Sequence, residues 1–495
     1  MYCRLAGCYE ALIGGQLAEA LVDVSGGVPE TIDIKSDAYR DSGARTSLFA
    51  DLKESFNNKA LMAAAIKPKS QDEVEKPLDC GLVKGHAYAV TAVKNIKLDK
   101  EHEGLLGLFS SPEKMQMIRL QNPWGEKEWN GPWSDGSEQW NLVTESQKKD
   151  LGLTFDEDGD FWMTFEDFWK YFTDVSVCHM INTSFFSFSK RYHESELFGK
   201  WTSGPKRGHP DDRAGGCLNF KDSCLYNPQY RFDLDEDIKE DNILFCLTQK
   251  DIREKRRQGA TYLTIGIHIM KGEDNRKYRV HRPLPPVATS EYINTRSVFF
   301  RLKNPSKGRY VILPSTYAPG EEGEFMLRAY SPESIDIKEM TKDKPVGSCP
   351  CCCSCIRKKP AYVSLIKVIR AEHLSRSENA DGSSLPDPYC IVKCDRKQVR
   401  SSTINNTDYP KWDLWTVFVR KTLEKPVIVE IWDSNYIRDS LLGTVTLQLT
   451  PENKEKRLEM PLQKFKAKSA AAESQPLNTG KVVLEVATYD DPLYL

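Results

Sequence analysis

The chain has 495 residues, a formal net charge of −2, 40% hydrophobic and 28% charged residues. That balance suits a soluble protein of about three or four domains. It excludes bulk electrostatic attraction to nucleic acid, and no apolar run reaches the roughly 18 residues of a membrane-spanning helix. The first residues, MYCRLAGCYEALIGG, lack the basic-then-apolar layout of a secretory signal, so the expectation is an intracellular, cytoplasmic protein. Of the 14 cysteines, five crowd into SCPCCCSC at Cys349, Cys351, Cys352, Cys353 and Cys355, and the scattered ones are expected to be reduced, mostly buried thiols.

In chain order, residues 8–23 carry helix formers interrupted by Gly14 and Gly15, and SGGVPE ends that pattern. Residues 45–65 read as a second helix. From residue 81 the grain changes: HAYAVTAV alternates, and MQMIRLQNPWG is a strand running into a turn. Residues 26–185 therefore mix helices and strands. From about 190 to 345 short strands alternate with polar turns (QYRFDL, NILFCLTQ, YLTIGIHIM, SVFFRL, RYVILPS, EFMLRAY), the pattern of a β-sandwich. A Pro-, Gly-, Ser- and charge-rich linker follows. A second strand series then fills residues 360–495 and predicts a second sandwich.

His86 opens an apolar strand directly after Gly85, and Asn122 ends another in Asn-Pro-Trp-Gly. A neutral imidazole can be buried there as a satisfied core group. It can also be a proton shuttle, with the asparagine oxygen fixing its tautomer as the third member of a catalytic unit and Trp124 covering the bond from water.

GLVKGHAYAV, IRLQNPWGEKEWNGPWSD and DEDGDFWMTFEDF together resemble the second protease subdomain of calpains. GGCLNFKDSCLYNPQY and RYVILPSTYAPGEEGEF resemble the calpain β-sandwich domain, and the end resembles a C2 domain, as in atypical members of that family. The resemblance implies a multidomain α+β chain: a papain-like second protease subdomain followed by two all-β sandwiches, the calpain β-sandwich and the C2 domain. Its divisions are a remnant of the first protease subdomain at 1–25, the second at 26–185, the β-sandwich at 186–345, a Cys-rich linker at 346–359 and the C2 domain at 360–495. It implies limited intracellular proteolysis of protein substrates, with His86 as catalytic base and acid, Asn122 orienting it and Trp124 supporting the site. The family's nucleophile motif, of Gly-Asp-Cys-Trp type, is not found, and Cys3 and Cys8 fall on the wrong element. The expectation is a calpain-type cysteine endopeptidase shortened at its start, without a nucleophile and inactive as it stands. The alternative is a non-catalytic protein that binds calcium and phospholipid.

DEDGD crowds acids round a glycine turn, which reads either as a solvated loop or as a cation site. The resemblance implies Ca²⁺ held by Glu128, Asp135, Asp158 and Asp160 with the Asp156 carbonyl; Asp160 stands where the family usually has glutamate. In the C2-like module, Asp381, Asp387, Asp433, Asn435 and Asp439 occupy the calcium-loop positions, with Asn435 replacing an acid, so the site is partial. Two readings stand for it: weak calcium binding with docking on anionic phospholipid membranes, or a structural sandwich with polar loops. The acidic run DLDEDIKED (233–241) is expected to attract calcium or a basic neighbour, or to be a plain exposed loop, and the basic run KDIREKRRQG (250–259) to pair with it or to touch anionic lipid. The cysteine run beside Arg357, Lys358 and Lys359 suits palmitoylation or an ordinary linker, and its spacing is awkward for zinc. With a C2 module in place of an EF-hand domain, there is no evident interface for an EF-hand small subunit, and nothing implies nucleic acid.

Overall fold

The computed structural model describes residues 15–98, 114–153, 158–182, 192–239, 242–253, 255, 259–345, 360–375, 385–463, 480–492 and 494. Asp156, Asp381, Cys3, Cys8 and the cysteine run lie outside the described residues, and with them the expectations placed there.

The first region is one six-stranded antiparallel sheet. Its strands are β1 (Val28–Asp33), β2 (Leu61–Ala65), β3 (Ala87–Lys97), β4 (Lys114–Gln121), β5 (Asp160–Thr164) and β6 (Asp174–His179), in the order β1-β6-β2-β3-β4-β5. Helix α1 (Leu17–Ser25) precedes it and ends at Gly26, in the left-handed region at φ 68°. Helix α2 (Ser42–Asn57) starts where the Asp41 carboxylate accepts from the Ala44 amide, and it buries Leu48, Phe49 and Leu52 in the sheet's core. The short helices α3 (Glu145–Leu151) and α4 (Phe165–Tyr171) begin at Thr144 and Thr164, whose hydroxyls cap them. The single helix expected over 45–65 is corrected. It stops at Asn57, Lys59 turns the chain at φ 65°, and Leu61–Ala65 becomes a strand between β6 and β3. Alanines there favour a helix locally, but burial of Met62, Ala63 and Ala64 inside the sheet overrides that preference.

The second region is a sandwich of two sheets. Its strands are β7 (His193–Trp201), β8 (Tyr230–Leu234), β9 (Asn242–Gln249), β10 (Thr264–Gly272), β11 (Pro286–Thr289), β12 (Ile293–Asn294), β13 (Ser297–Lys303), β14 (Gly308–Thr316), β15 (Gly323–Ser331) and β16 (Lys338–Glu339). One sheet runs β11-β10-β14-β8-β16 with β12 on β10; the other runs β13-β9-β15-β7. The inward residues alternate along each strand, as Ile265, Ile267 and Ile269 do on β10. The third region is also a sandwich. Its strands are β17 (Tyr362–Glu372), β18 (Pro388–Cys394), β19 (Lys397–Arg400), β20 (Lys411–Arg420), β21 (Val427–Asp433), β22 (Ser440–Leu447), β23 (Lys456–Pro461) and β24 (Lys481–Tyr489), in sheets β20-β17-β24-β23 and β19-β18-β21-β22.

The acidic and basic runs of the first sandwich do not pair with each other among the described residues. Asp233 pairs with Arg231 and Arg309, and Asp237 accepts from the Lys307 amide. Arg253, from the basic run, instead grips Asp23 of α1 and Asp251. β1 of the first region lies along β13 of the sandwich. There Glu30 meets His179 at 2.6 Å and Arg301 at 3.0 Å, while the His179 ring stacks on Phe299. No helix among the described residues is long and apolar enough to cross a membrane.

Candidate active site

The sheet brings the starts and ends of three strands to one edge: His86 just before β3, Asn122 just after β4, and Asp158–Asp160 at the head of β5. Register explains it, because β3 pairs with β4 at Ala89–Gln121 and β4 with β5 at Gln121–Asp160.

Asn122 is fully buried, and every polar atom of its side chain is used. Its Nδ2 donates to the carbonyls of Glu126 at 2.7 Å and Lys127 at 3.1 Å. Its Oδ1 accepts from the Trp124 amide at 3.1 Å and lies 2.8 Å from His86 Nε2. The two carbonyls fix which end of the amide is oxygen, so the group facing the imidazole is an acceptor. Nε2 therefore carries the hydrogen, and the lone pair of the neutral ring sits on Nδ1. Among the described residues Nδ1 has no hydrogen-bond partner. This is the tautomer of a base directed at something beyond the pair.

The half-buried ring is held from two further sides. Trp124 lies against it with centroids 4.2 Å apart, and Tyr88 meets it edge-on at 5.2 Å. Trp124 is itself 41% exposed, so it covers one side of the pair and leaves a face open. The Lys127 ammonium sits 4.9 Å from the centre of its ring. Tyr88 is fully buried, and burial pushes its phenol up to about 12. Its hydroxyl accepts from the Val83 amide at 2.7 Å, tying the loop that leads to His86 into the core. That loop also touches the loop after Asn122: Asn130 donates to the carbonyls of Cys80 and Asp79, and a Cβ on Gly81 would stand 1.9 Å from the Glu128 carbonyl oxygen. With φ at 87° as well, position 81 accepts glycine alone without rearrangement.

The acids expected to hold calcium are brought partly together. Glu128 Oε1 accepts from the Gly159 amide at 2.8 Å, and Asp158 Oδ1 from the Asp160 amide at 2.9 Å. Asp160 Oδ1 is buried with no hydrogen-bond partner, and burial, with Asp158 adding to it and Arg119 opposing, raises its carboxyl above the ordinary value. An orphaned carboxylate oxygen among oxygen donors fits a hard cation. Asp135 is half-buried in the turn after Trp133. Among the described residues no group of three or more His, Cys, Asp or Glu side chains is gathered closely enough to hold a metal.

In the second sandwich, the loops at one end do converge. Asp433 Oδ1 accepts from the Asp387 amide at 2.8 Å, Asp387 Oδ1 from the Asn406 amide at 2.6 Å, and Asp439 from Asn435 N at 3.0 Å and the Tyr389 hydroxyl at 2.7 Å. The Tyr389 hydroxyl and the Asn435 amide hold the Asp439 carboxyl below its ordinary value. Asn435 Nδ2 donates to the Asp433 carbonyl and to Ser440. These side chains fasten the loops to one another. Between them the chain presents Tyr436 and Ile437 fully to solvent, with Leu385 and Tyr409 half-exposed nearby in sequence to the same loops.

Sequence reasoning missed the carbonyls of Glu126 and Lys127 and the Tyr88 hydroxyl. The first two are backbone groups that any residue supplies; only the crowding of Asn-Pro-Trp-Gly hinted at a turn folded back on its own asparagine. The apolar loop tip could have been found from Tyr436 and Ile437 standing together between polar residues.

Comparison with known proteins agrees along the chain. The profile of the calpain family cysteine protease matches residues 1–179, that of calpain large subunit domain III residues 197–330, and that of the C2 domain residues 364–463. Calpain-5 of Mus musculus is 42% identical over 457 residues, covering 91% of this chain and 68% of the relative. Calpain-5 of Caenorhabditis elegans is 40% identical over 508 residues, covering 100% and 74%. Calpain-A of Drosophila melanogaster is 39% identical over 366 residues, covering 70% and 41%. The chain belongs to the calpain family, with a cysteine-protease region followed by calpain domain III and a C2 domain.

Proposed function

We propose that the protease region serves calcium-dependent limited proteolysis of intracellular proteins in a papain-like cleft, with His86 as base and then acid and Asn122 as its orienting group. The observation that carries this reading is the 2.8 Å His86–Asn122 bond, whose amide orientation leaves the lone pair on Nδ1. In that chemistry a cysteine thiol gives its proton to Nδ1, the thiolate attacks the scissile carbonyl, and the imidazolium returns the proton to the leaving amine. Trp124 and the buried Asn122 exclude water from the Nε2 side, so the hydrogen bond that steadies the imidazolium stays strong. Glu128, Asp135, Asp158 and Asp160, with Asp156, would hold Ca²⁺. A bound ion supplies positive charge that ties the 126–130 and 158–160 loops together, and those loops carry the carbonyls that grip Asn122.

The described part of this chain holds the proton acceptor and its orienting group without the thiol. Its described cysteines are Cys80, Cys178, Cys217, Cys224, Cys246, Cys390 and Cys394, and none of them hydrogen-bonds to the imidazole. Loss of one member of such a unit costs several orders of magnitude in rate, so the described residues taken alone would not cleave peptides by this route. Incubation with casein and calcium tests this. Undetectable cleavage is expected; efficient cleavage that His86→Ala abolishes would refute it, as would an epoxide or aldehyde inhibitor adduct on any thiol that depends on His86.

The exposed Tyr436 and Ile437 favour a second reading alongside the first: the C2 tip docks on anionic phospholipid. An aromatic and an aliphatic side chain projecting into solvent beside Arg438 suit the boundary between headgroups and acyl chains. Sedimentation with phosphatidylserine-containing vesicles, with and without calcium, tests it. Binding unaffected by replacing both Tyr436 and Ile437 with serine would sink it.

A further inference from the structure

The outer strand of a sheet exposes every second N–H and C=O to solvent, and proteins protect such edges. β20 is the outer strand of its sheet, with β17 on its inner side. Trp415 and Val417, two residues apart, face the other way, and both are fully answered by the turn that follows β10 in the first sandwich. The Asp274 amide donates to the Trp415 carbonyl at 2.7 Å, and the Trp415 amide donates to Asp274 Oδ2 at 2.9 Å. The Asn275 side chain does the same for Val417: Nδ2 donates to its carbonyl at 2.9 Å and Oδ1 accepts from its amide at 2.8 Å. The amide and carboxylate of Asp274 and the primary amide of Asn275 thus stand in for two residues of a missing strand.

The turn is held as firmly on its own side. Glu273 and Arg276 form an ion pair that is almost completely buried, 2.7 Å between Oε1 and Nη2. The Arg276 carbonyl accepts from Arg309. Arg279 donates to the carbonyls of Leu225, Tyr226 and Asn227, and Gln229 exchanges two hydrogen bonds with Val280. Apolar contacts flank the ladder: Trp415 packs on the first-sandwich cluster of Met270, Val280 and Val311, and Tyr278 packs on Val363, Leu365 and Val417. Arg282 reaches the Tyr489 hydroxyl and lies over the Tyr494 ring.

We propose that residues 273–276 are a clamp on the edge of the C2 domain, so that the two sandwiches are one rigid body and the C2 domain is not a tethered module. The clamp covers the middle of the β20 edge, at Trp415 and Val417, and the neighbouring face of its sheet, leaving the Asp387–Asp433 loop end free. A surface bound at that end therefore fixes the orientation of domain III as well. The clamp stands independently of the lipid reading.

Residue-resolved hydrogen exchange on the intact chain tests it. The Trp415 and Val417 amides should exchange at least 100-fold more slowly than unstructured amides, although they lie on a sheet edge. Asn275→Ala should speed Val417 by tenfold or more and leave Thr416, which points inward, within about twofold. Rapid exchange of both amides in the unsubstituted chain overturns the proposal, whatever the variant does, as does a Val417 rate that Asn275→Ala leaves unchanged. Asn275→Asp is a second probe, because it keeps an acceptor for the Val417 amide but opposes the Val417 carbonyl with another acceptor. Small-angle scattering reads the rigidity directly. One arrangement of the two sandwiches should fit the unsubstituted chain, and a broader distance distribution should appear in the Asp274→Ala/Asn275→Ala variant. Unsubstituted scattering that requires a spread of C2 positions overturns the claim of a single body.

Discussion

Replacing Arg301 with methionine should weaken the junction between the protease region and domain III by about 2–3 kcal/mol at neutral pH. The Glu30 and Arg301 side chains are each 18% exposed and lie 3.0 Å apart, with His179 2.6 Å from the same carboxylate oxygen. Breaking a fully buried pair costs about 3–5 kcal/mol, and the residual exposure reduces that figure through solvent screening. The pH dependence is the sharper test. Burial by itself pushes the Glu30 carboxyl up, but the Arg301 guanidinium, then the His179 hydrogen bond and charge and the more distant Lys303, more than reverse it and hold it below the ordinary value. A depressed carboxyl contributes stability that is present above the unfolded value, near 4.5, and is lost as pH falls through the folded one. In Arg301→Met the largest opposing charge is gone while burial remains. The carboxyl then rises, the folded state holds its proton more tightly, and stability falls as pH increases through the weakly acid range. The assay is the midpoint of the first urea transition from pH 4 to 7.5. At an m-value of about 2 kcal/mol per molar, the variant should lose roughly 1 M at pH 7 and much less near pH 4. Glu30→Gln in the same chain should recover most of the loss, since no uncompensated charge is left. A shift below about 0.2 M at pH 7, or one that does not depend on pH, would refute the reasoning.

Gly81→Ala should cost more than about 2 kcal/mol, because both the backbone angle and the Glu128 carbonyl oppose a Cβ, and a lowered thermal midpoint checks it. Asn122→Ala leaves two carbonyls and the Trp124 amide without a side-chain partner and should destabilise by about 1–3 kcal/mol; the His86 ring resonances in NMR should broaden or split as the tautomer is freed. His268 is buried between Tyr292 and Thr289, and burial lowers it to about 4. Its contribution is therefore complete above about pH 6.5 and lost as pH falls towards 4, up to about 3 kcal/mol; His268→Gln should flatten the acid limb of the stability profile. The paired Tyr436→Ser and Ile437→Ser changes should lower vesicle sedimentation and leave the unfolding free energy within about 0.5 kcal/mol, as both side chains touch only solvent.

Most of the strand framework was legible because sandwich strands advertise their two-residue alternation, as TIGIHIM does by burying Ile265, Ile267 and Ile269 towards one core. The helix predicted through residue 65 failed because LMAAA has no alternation to read, and its strand state comes from neighbours more than 20 residues away, at Ala87–Ala89 and Asp174–Cys178. His86 and Asn122 were legible as residue types in distinctive settings, and β3–β4 pairing is what joins them. The partners that immobilise Asn122 were not, since backbone carbonyls have no signature. The acidic and basic runs of domain III misled because complementary charge says nothing about direction: Arg253 found Asp23 on α1, far away in sequence. The clamp at Asp274 and Asn275 was equally hidden, lying in a short turn whose residues are ordinary turn formers.

An amide side chain that completes someone else's ladder also denies that ladder to strangers. With Trp415 and Val417 already satisfied, the middle of β20 offers no open template on which a second copy could stack, so polymerisation through that stretch would first require prising the two sandwiches apart. The same few bonds that set the posture of the molecule thereby guard its solubility during any excursion that leaves the rest of the fold intact.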